Sequence, residues 1–387
     1  MEKLKQRLET LCIFRELLKE PVIAALRSYL ETPSAAGYAS FVSQLYEANG
    51  GDLAAHIQEL CENSGNFYVR TLGRGEKAPE HLYAALLSEL DTLQQVAELT
   101  KENLCATLDH IGFLPDFAGS TVNLRDEYLH RRANIGTYGF GIYAKHHMFR
   151  VDEQDRIVPV LHPDRTALSQ LVDYQRERRI VLDNAKALLM GKPAANILLT
   201  GDAGTGKSST VKAVVNELWR DGLRLIEIRK DQLRAIPKLL DELSDNPLKF
   251  VLFIDDLSFL KDDDNFNALK AVLEGSVTAK SPNMVIYTTS NRRHIIKEKF
   301  SDREGDEVHR NDTMQELISL SERFGIHVSF SKPSRETYLR IVRHLAVEND
   351  LEIPEKDLDA LAERFALERG GRSARLARQF VDGLLSR

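Results

Sequence analysis

Gly201-Asp202-Ala203-Gly204-Thr205-Gly206-Lys207-Ser208 lies between the apolar run Asn196-Ile197-Leu198-Leu199-Thr200 and a run of helical character from Ser209 to Trp219. A short buried strand, a glycine turn and a helix start, in that order, form a phosphate-binding P-loop. Successive backbone N–H groups must curl around a phosphate, and Gly201, Gly204 and Gly206 accept the φ values this needs. The helix points its positive end at the same phosphate. Asp202, Ala203, Thr205 and Ser209 fall in the same cradle. Lys207 is placed for the β- and γ-phosphates, and Ser208 for a Mg²⁺ ion beside them.

Downstream, Phe250-Val251-Leu252-Phe253-Ile254-Asp255-Asp256 reads as a buried strand ending in two carboxylates. Two charges at the end of an apolar run are costly unless a cation or strong donors meet them. A Walker B reading supplies the cation: Asp255 binds Mg²⁺ through water, and Asp256 orients or deprotonates the attacking water. The run Met284 to Thr289 leads into Ser290-Asn291, which puts an amide at a strand tip where it can hold that water.

The remaining strand candidates are Leu223 to Ile228 and Ile326 to Phe330. Short, near-continuous apolar runs separated by helices predict a five-stranded parallel sheet covered on both faces, hence an α/β fold. Residues 1–125 carry leucines at helical spacing, as in Leu82, Leu86, Leu90 and Leu93, and predict a helical N-terminal domain. From Gly136 to Val160 the aromatic and β-branched texture predicts a β-hairpin turning at Asp152 to Asp155, within a linker of residues 126–164. Its aromatics, beside Lys145, His146, His147 and Arg150, fit a hairpin burying one face better than a base-stacking surface. Residues 165–332 then form the nucleotide domain, and residues 333–387 a small helical bundle.

Composition sets the outer limits. The chain has 387 residues, a formal charge of −6 and 28 % charged residues, which excludes a whole-chain basic footprint for nucleic acid. Cys12, Cys61 and Cys105 form no C-x-x-C pair, so neither a disulfide framework nor a zinc site is expected. The first residues lack a signal-peptide core, and no stretch approaches the roughly 20 apolar residues of a membrane span. The expectation is a cytoplasmic protein with reduced thiols.

Walker A, Walker B, the strand-tip Asn291, Leu320-Ser321-Glu322-Arg323-Phe324-Gly325 and an Arg-bearing helical tail together resemble the AAA+ ATPases over residues 165–387. The Asp-Asp pair and the Ser-x-Arg-Phe segment are similar to the initiator and helicase-loader branch. The closer likeness is to an uncharacterised bacterial P-loop family sharing Asp-Asp-Leu-Ser-Phe and Thr-Ser-Asn-Arg-Arg-His. The resemblance implies ATP and Mg²⁺ as ligands and Asn291 as sensor-1. It implies Arg323 as an arginine finger reaching a neighbouring subunit, hence a homo-oligomer, with Arg292, Arg293, Arg303 and Arg310 as rivals. It implies Arg375 as the sensor-2 residue of the lid, with Arg372 competing, and an adenine pocket near Leu171, Val172 and Tyr174.

The client implied is a protein or nucleic acid that is loaded or remodelled. Asp256 stands where most motors of this class carry Glu, one methylene longer, so a slow ATP-dependent switch stays open beside a motor. Arg229-Lys230-Asp231-Gln232-Leu233 lacks the aromatic-apolar-Gly sequence of threading pores, which argues against a processive unfoldase. A P-loop small-molecule kinase is the third reading.

Overall fold

The computed structural model describes residues 1–257, 264–274, 282–291 and 322–386. They fall into two compact units. One is Met1–Lys145 with Asp245–Pro247; the other comprises the described residues from His146 to Ser244 and from Leu248 onward. The rival arginines Arg292, Arg293, Arg303 and Arg310 lie outside the described residues.

The first unit is helical, as its leucine periodicity predicts. Its principal helices are Pro21–Glu31, Ala35–Asn49, Leu53–Asn63 and Glu80–Ala97, and several begin at side-chain caps. Ser34 accepts from the Gly37 N–H, Asp52 from Ala55 and Asn66 from Val69. Glu20 accepts from the Ile23 N–H with Pro21 at the first helical position, where a missing N–H costs nothing. The core gathers Leu8, Phe14, Leu26, Tyr38, Phe41, Leu90 and Leu93, all fully buried.

One carboxylate is buried in this unit. Glu89, 8 % exposed, accepts from three successive backbone N–H groups. Cys12 donates to Oε1 at 2.7 Å, Ile13 to both oxygens at 3.0 and 3.1 Å, and Phe14 to Oε2 at 3.0 Å. The side chain thereby satisfies a turn that no secondary structure serves.

The second unit is built on a sheet of strands β1 (Met148–Val151), β2 (Ile157–Pro159), β3 (Ile197–Gly201), β4 (Leu223–Ile228), β5 (Lys249–Ile254), β6 (Met284–Ser290) and β7 (Ile326–Phe330). The order is β2-β1-β4-β5-β6-β3-β7. All neighbours are parallel except β1 and β2, which pair antiparallel. Burial runs unbroken from Phe250 to Ile254, as expected for a strand covered on both faces. One face packs Val251, Phe253, Val285 and Tyr287 against Val181, Ala185 and Leu188 of helix Gln175–Leu189 and against Val211, Val214 and Val215 of helix Lys207–Leu218.

The five expected strands form the array β4-β5-β6-β3-β7, but the sheet has two more. The hairpin extends its edge, with β1 hydrogen-bonded parallel to β4 through the register Met148↔Leu225 to Arg150↔Glu227. The hairpin is also shorter than its texture suggests. Ile135–Tyr138 and Ile142–Lys145 are short helices, and Gly139 and Gly141 take φ of 69° and 60°, which breaks any extended run before His146.

Helices Arg335–Glu348, Glu355–Glu368 and Ala374–Leu385 pack as a lid around Tyr338, Val342, Leu358, Ala362, Ala377 and Phe380. With β3 between β6 and β7, a P-loop after β3, a carboxylate pair after β5 and this C-terminal bundle, the unit has the AAA+ fold. Among the described residues no helix is long and apolar enough to cross a membrane.

At the far end of the P-loop helix stands the chain's single tryptophan, Trp219. The His147 ring stacks on it at 5.2 Å and hydrogen-bonds Asn216 at 3.1 Å. Asn216 in turn donates to the Asp164 and Thr166 carbonyls at 2.8 and 2.9 Å.

Candidate functional site

Parallel strands bring their C-terminal ends to one edge of the sheet, where open α/β sheets place their ligands. Here the ends of β3, β5 and β6 deliver the P-loop, Asp255-Asp256 and Thr289 to Asn291 to a single cleft of about 620 Å³. Ala203 through Ser209 line it, with Asp255, Asp256, Asn291 and Arg375.

The loop has the conformation a phosphate cradle needs. Gly201, Gly204 and Gly206 take φ of 140°, 77° and 92°. At Gly201 a Cβ would stand 2.0 Å from the Phe330 carbonyl oxygen, so only glycine fits there. The Lys207 ammonium curls back to donate to the Gly201 and Asp202 carbonyls, each at 2.8 Å, and to Asn291 Oδ1 at 3.0 Å. Burial pulls its pKa below the ordinary lysine value, against the attraction of Asp255, Asp202 and Asp256.

The carboxylates are wired to the same residues. Asp255 Oδ1 accepts from Ser208 Oγ at 2.6 Å, from Thr289 Oγ1 at 2.5 Å and from the Asp256 N–H at 3.1 Å. Asp256 sits in the left-handed region at φ 52°, and its Oδ1 accepts from Asn291 Nδ2 at 2.6 Å. Asn291 thus links Lys207 on one side to Asp256 on the other. The donor set of Ser208 hydroxyl beside Asp255 carboxylate, under a loop of inward N–H groups, suits a hard cation held with a phosphate chain.

The lid and the lead-in segment close the other walls. Arg375 lines the cleft, and its N–H donates to the Gly204 carbonyl at 3.3 Å. Arg372 points elsewhere, into a two-pronged pair with Glu363 at 3.1 and 2.8 Å. Leu171, Val172 and Tyr174 line the cleft opposite Ile341 and Leu345 of the lid, giving an apolar wall suited to a base. Arg323 precedes β7, which runs parallel to β3. It therefore stands at the end of the sheet opposite this chain's P-loop, about 16 Å away along a five-residue strand.

Several lining residues carry no sequence signature. Arg178 donates to the Leu168 carbonyl at 3.1 Å, to Leu171 and to Tyr174, fixing the base-side segment from behind; burial holds its pKa below the arginine norm. Asp173 and Tyr174 are both left-handed, at φ 66° and 54°. The Tyr174 hydroxyl donates to the Ser331 carbonyl at 2.6 Å, while Asp173 pairs with Arg340 of the lid at 3.3 Å. Asp164, Thr166 and Arg378 also face the cleft. Burial works against the Asp164 charge, but hydrogen bonds from Thr166, with Lys212 and Arg378 nearby, outweigh it and keep the carboxyl below its usual range. Tyr174 was expected through the resemblance; of the others only Arg378 was within reach of sequence reasoning, three residues after Arg375 on the same helix face.

The family described as "Protein of unknown function (DUF815)" matches residues 144–387. The chain belongs to that family. The match covers both the hairpin that extends the sheet and the lid that carries Arg375. Among solved structures, a variant of Thermotoga maritima RuvB aligns at 16 % identity and a TM-score of 0.38, over 56 % of this chain and 63 % of that one. The chain thus spans less than two thirds of that structure. Another, titled as the Thermotoga maritima RuvB Holliday junction branch migration motor, aligns at 14 % identity and a TM-score of 0.35, over 56 % and 72 %. The fold assignment rests on strand order and the P-loop rather than on these alignments. Comparison with curated proteins gave no match.

Proposed function

We propose that this AAA+ P-loop protein binds and hydrolyses Mg²⁺·ATP in the cytoplasm, at the boundary between two copies of the chain, to load or remodel a protein or nucleic-acid client. One observation carries the reading. Lys207, Ser208, Asp255, Asp256 and Asn291 come from three strand ends and form one continuous hydrogen-bonded set in one cleft.

Each residue then has a task. The loop N–H groups and the helix N-terminus hold the phosphates. Lys207 exchanges two carbonyl contacts for phosphate oxygens. Ser208 and Asp255 hold Mg²⁺, which when bound neutralises charge developing on the phosphates. Asn291 positions the attacking water and Asp256 takes its proton. Arg375 brings positive charge from the lid. Arg323, too far from its own cleft, serves the neighbouring copy's nucleotide, a contribution of the order of 10³–10⁵ in rate. Buried, unpaired Cys61 and Cys105 suit a reducing compartment.

A second reading is a slow ATP-dependent switch. It is favoured by the 2.6 Å bond from Asn291 to Asp256 Oδ1, because a carboxylate whose charge is already stabilised by a hydrogen bond is a weaker base toward the attacking water.

Phosphate release by purified chain with Mg²⁺·ATP, measured against Lys207→Ala, tests hydrolysis; no excess over that control, with clients present, sinks it. Light scattering with ATP tests the shared site, and a monomer at micromolar concentration excludes Arg323 acting in trans. Trapping Asp256→Asn with ATP and identifying what co-purifies addresses the client, and nucleic-acid binding that does not weaken with salt excludes a phosphate-dominated contact.

A further inference from the structure

We propose that Thr289 is a positioning residue that sets the Mg²⁺ dependence of the cleft, by orienting Asp255 and fixing the turn at Asp256. The proposal rests on the Mg²⁺·ATP reading of the cleft. Thr289 is the penultimate residue of β6, beside β5, is 2 % exposed and lines the cleft.

A threonine hydroxyl has one proton to give, and Thr289 gives it to Asp255 Oδ1 at 2.5 Å. Its oxygen accepts the Asp256 N–H at 2.9 Å. Its carbonyl accepts the Leu257 N–H at 2.7 Å, so one residue grips three consecutive positions of the segment that leaves the end of β5. Among the described residues, every hydrogen bond to the Asp255 side chain converges on Oδ1. Oδ2 is thereby left to face a cation or its water shell, and the carboxylate plane is set by Thr289 and Ser208. Asp256 needs the same anchor for a second reason. Its φ of 52° is a conformation that costs a residue with a side chain, so its N–H must be held from outside.

Removing the hydroxyl leaves the Asp255 carboxylate oriented by Ser208 and the Asp256 N–H alone, and leaves that N–H only its longer 3.1 Å bond to Asp255, while every group that touches phosphate stays in place. The deficit therefore falls on the metal rather than on the nucleotide. Groups that orient metal ligands in this way change metal affinity or activity by about 10- to 100-fold when removed.

The experiment uses the full chain and titrates ATP calorimetrically, first with EDTA and then across a Mg²⁺ series, with phosphate release followed in parallel. Thr289→Val, equal in shape, is expected to keep the metal-free ATP affinity and to raise the Mg²⁺ concentration for half effect by about 10- to 100-fold. Thr289→Ser, which keeps the hydroxyl, recovers most of that loss. If Thr289→Val does not fold, Thr289→Ala replaces it. A hydroxyl-free variant with the wild-type Mg²⁺ response, or one that loses metal-free ATP binding equally, overturns the proposal, as does a wild type whose ATP binding ignores Mg²⁺. A wild type that binds Mg²⁺·ATP without releasing phosphate defeats the hydrolytic reading alone, and the titration still decides Thr289.

Discussion

Replacing Gly201 by alanine tests how the P-loop is joined to the sheet. Gly201 pairs with Phe330 across the β3–β7 ladder, and a Cβ at Gly201 would lie 2.0 Å from the Phe330 oxygen and 2.9 Å from its carbonyl carbon. The first distance is about 1 Å short of the 3.0 Å that real Cβ atoms respect. Both partners are backbone, so no side chain can swing aside; strand must part from strand. Overpacking of this kind costs about 1–3 kcal/mol. The φ of 140° adds about 1–3 kcal/mol for any residue with a side chain. The sum, about 2–6 kcal/mol, is a large part of the 5–15 kcal/mol that stabilises a typical domain. The damage also travels, because Phe330 packs on Tyr174 at 5.2 Å and the Gly201 carbonyl holds Lys207. Gly191→Ala is the comparison: φ there is 68° but a Cβ meets open space, so only the conformational part applies, about 1–2 kcal/mol. Urea unfolding, with hydrogen exchange at β7 as the local readout, should show Gly201→Ala losing clearly more than Gly191→Ala, together with weakened ATP binding. If the two variants are equally stable, or Gly201→Ala stays within about 0.5 kcal/mol of wild type, the reasoning is wrong.

Three further outcomes are expected. Arg375→Ala should weaken ATP binding in calorimetry while Arg372→Ala leaves it close to wild type, since Arg372 is committed to Glu363; the reverse ranking would transfer the lid role. Glu89→Ala strands the buried N–H groups of Ile13 and Phe14, at about 1–3 kcal/mol each, and should raise hydrogen exchange at residues 12–14; unchanged exchange would show that water replaces the carboxylate. Burial opposes the Glu20 charge, yet the His56 imidazole 3.2 Å away and the Ile23 and Val22 N–H groups hold its pKa below the ordinary 4.5. A lowered folded value means stability that is fully present above 4.5 and lost as pH falls through the folded pKa. Melting temperatures taken downward from about pH 6 should therefore fall more steeply for wild type than for Glu20→Gln; parallel curves would remove Glu20 from the account.

The parts of the cleft legible from sequence are those in which one strand end carries the whole signal. The P-loop, Asp255-Asp256 and Asn291 each follow an apolar run, and the geometry of a parallel sheet then gathers them. Thr289 was not legible, because its role depends on β6 lying beside β5, which no local pattern states. Arg178 acts through carbonyls of the segment from Leu168 to Tyr174, which carries no periodic pattern, and Asp164 has Arg378 of the distant lid nearby. The hairpin was legible as a hairpin but not as a sheet edge: β1 has only four residues, too few to declare a parallel partner. Arg372 and Arg375 could not be separated from sequence, since their difference lies in Glu363, on another lid helix.

The stacked pair of His147 and Trp219 gives the chain an optical reporter that needs no label. With one indole in the sequence, all tryptophan emission comes from the far end of the P-loop helix. A neighbouring imidazole quenches that emission more strongly when protonated, and the same ring is tethered through Asn216 to the Asp164–Thr166 stretch of the cleft wall. Any nucleotide that shifts this wall changes the brightness of a residue it never touches.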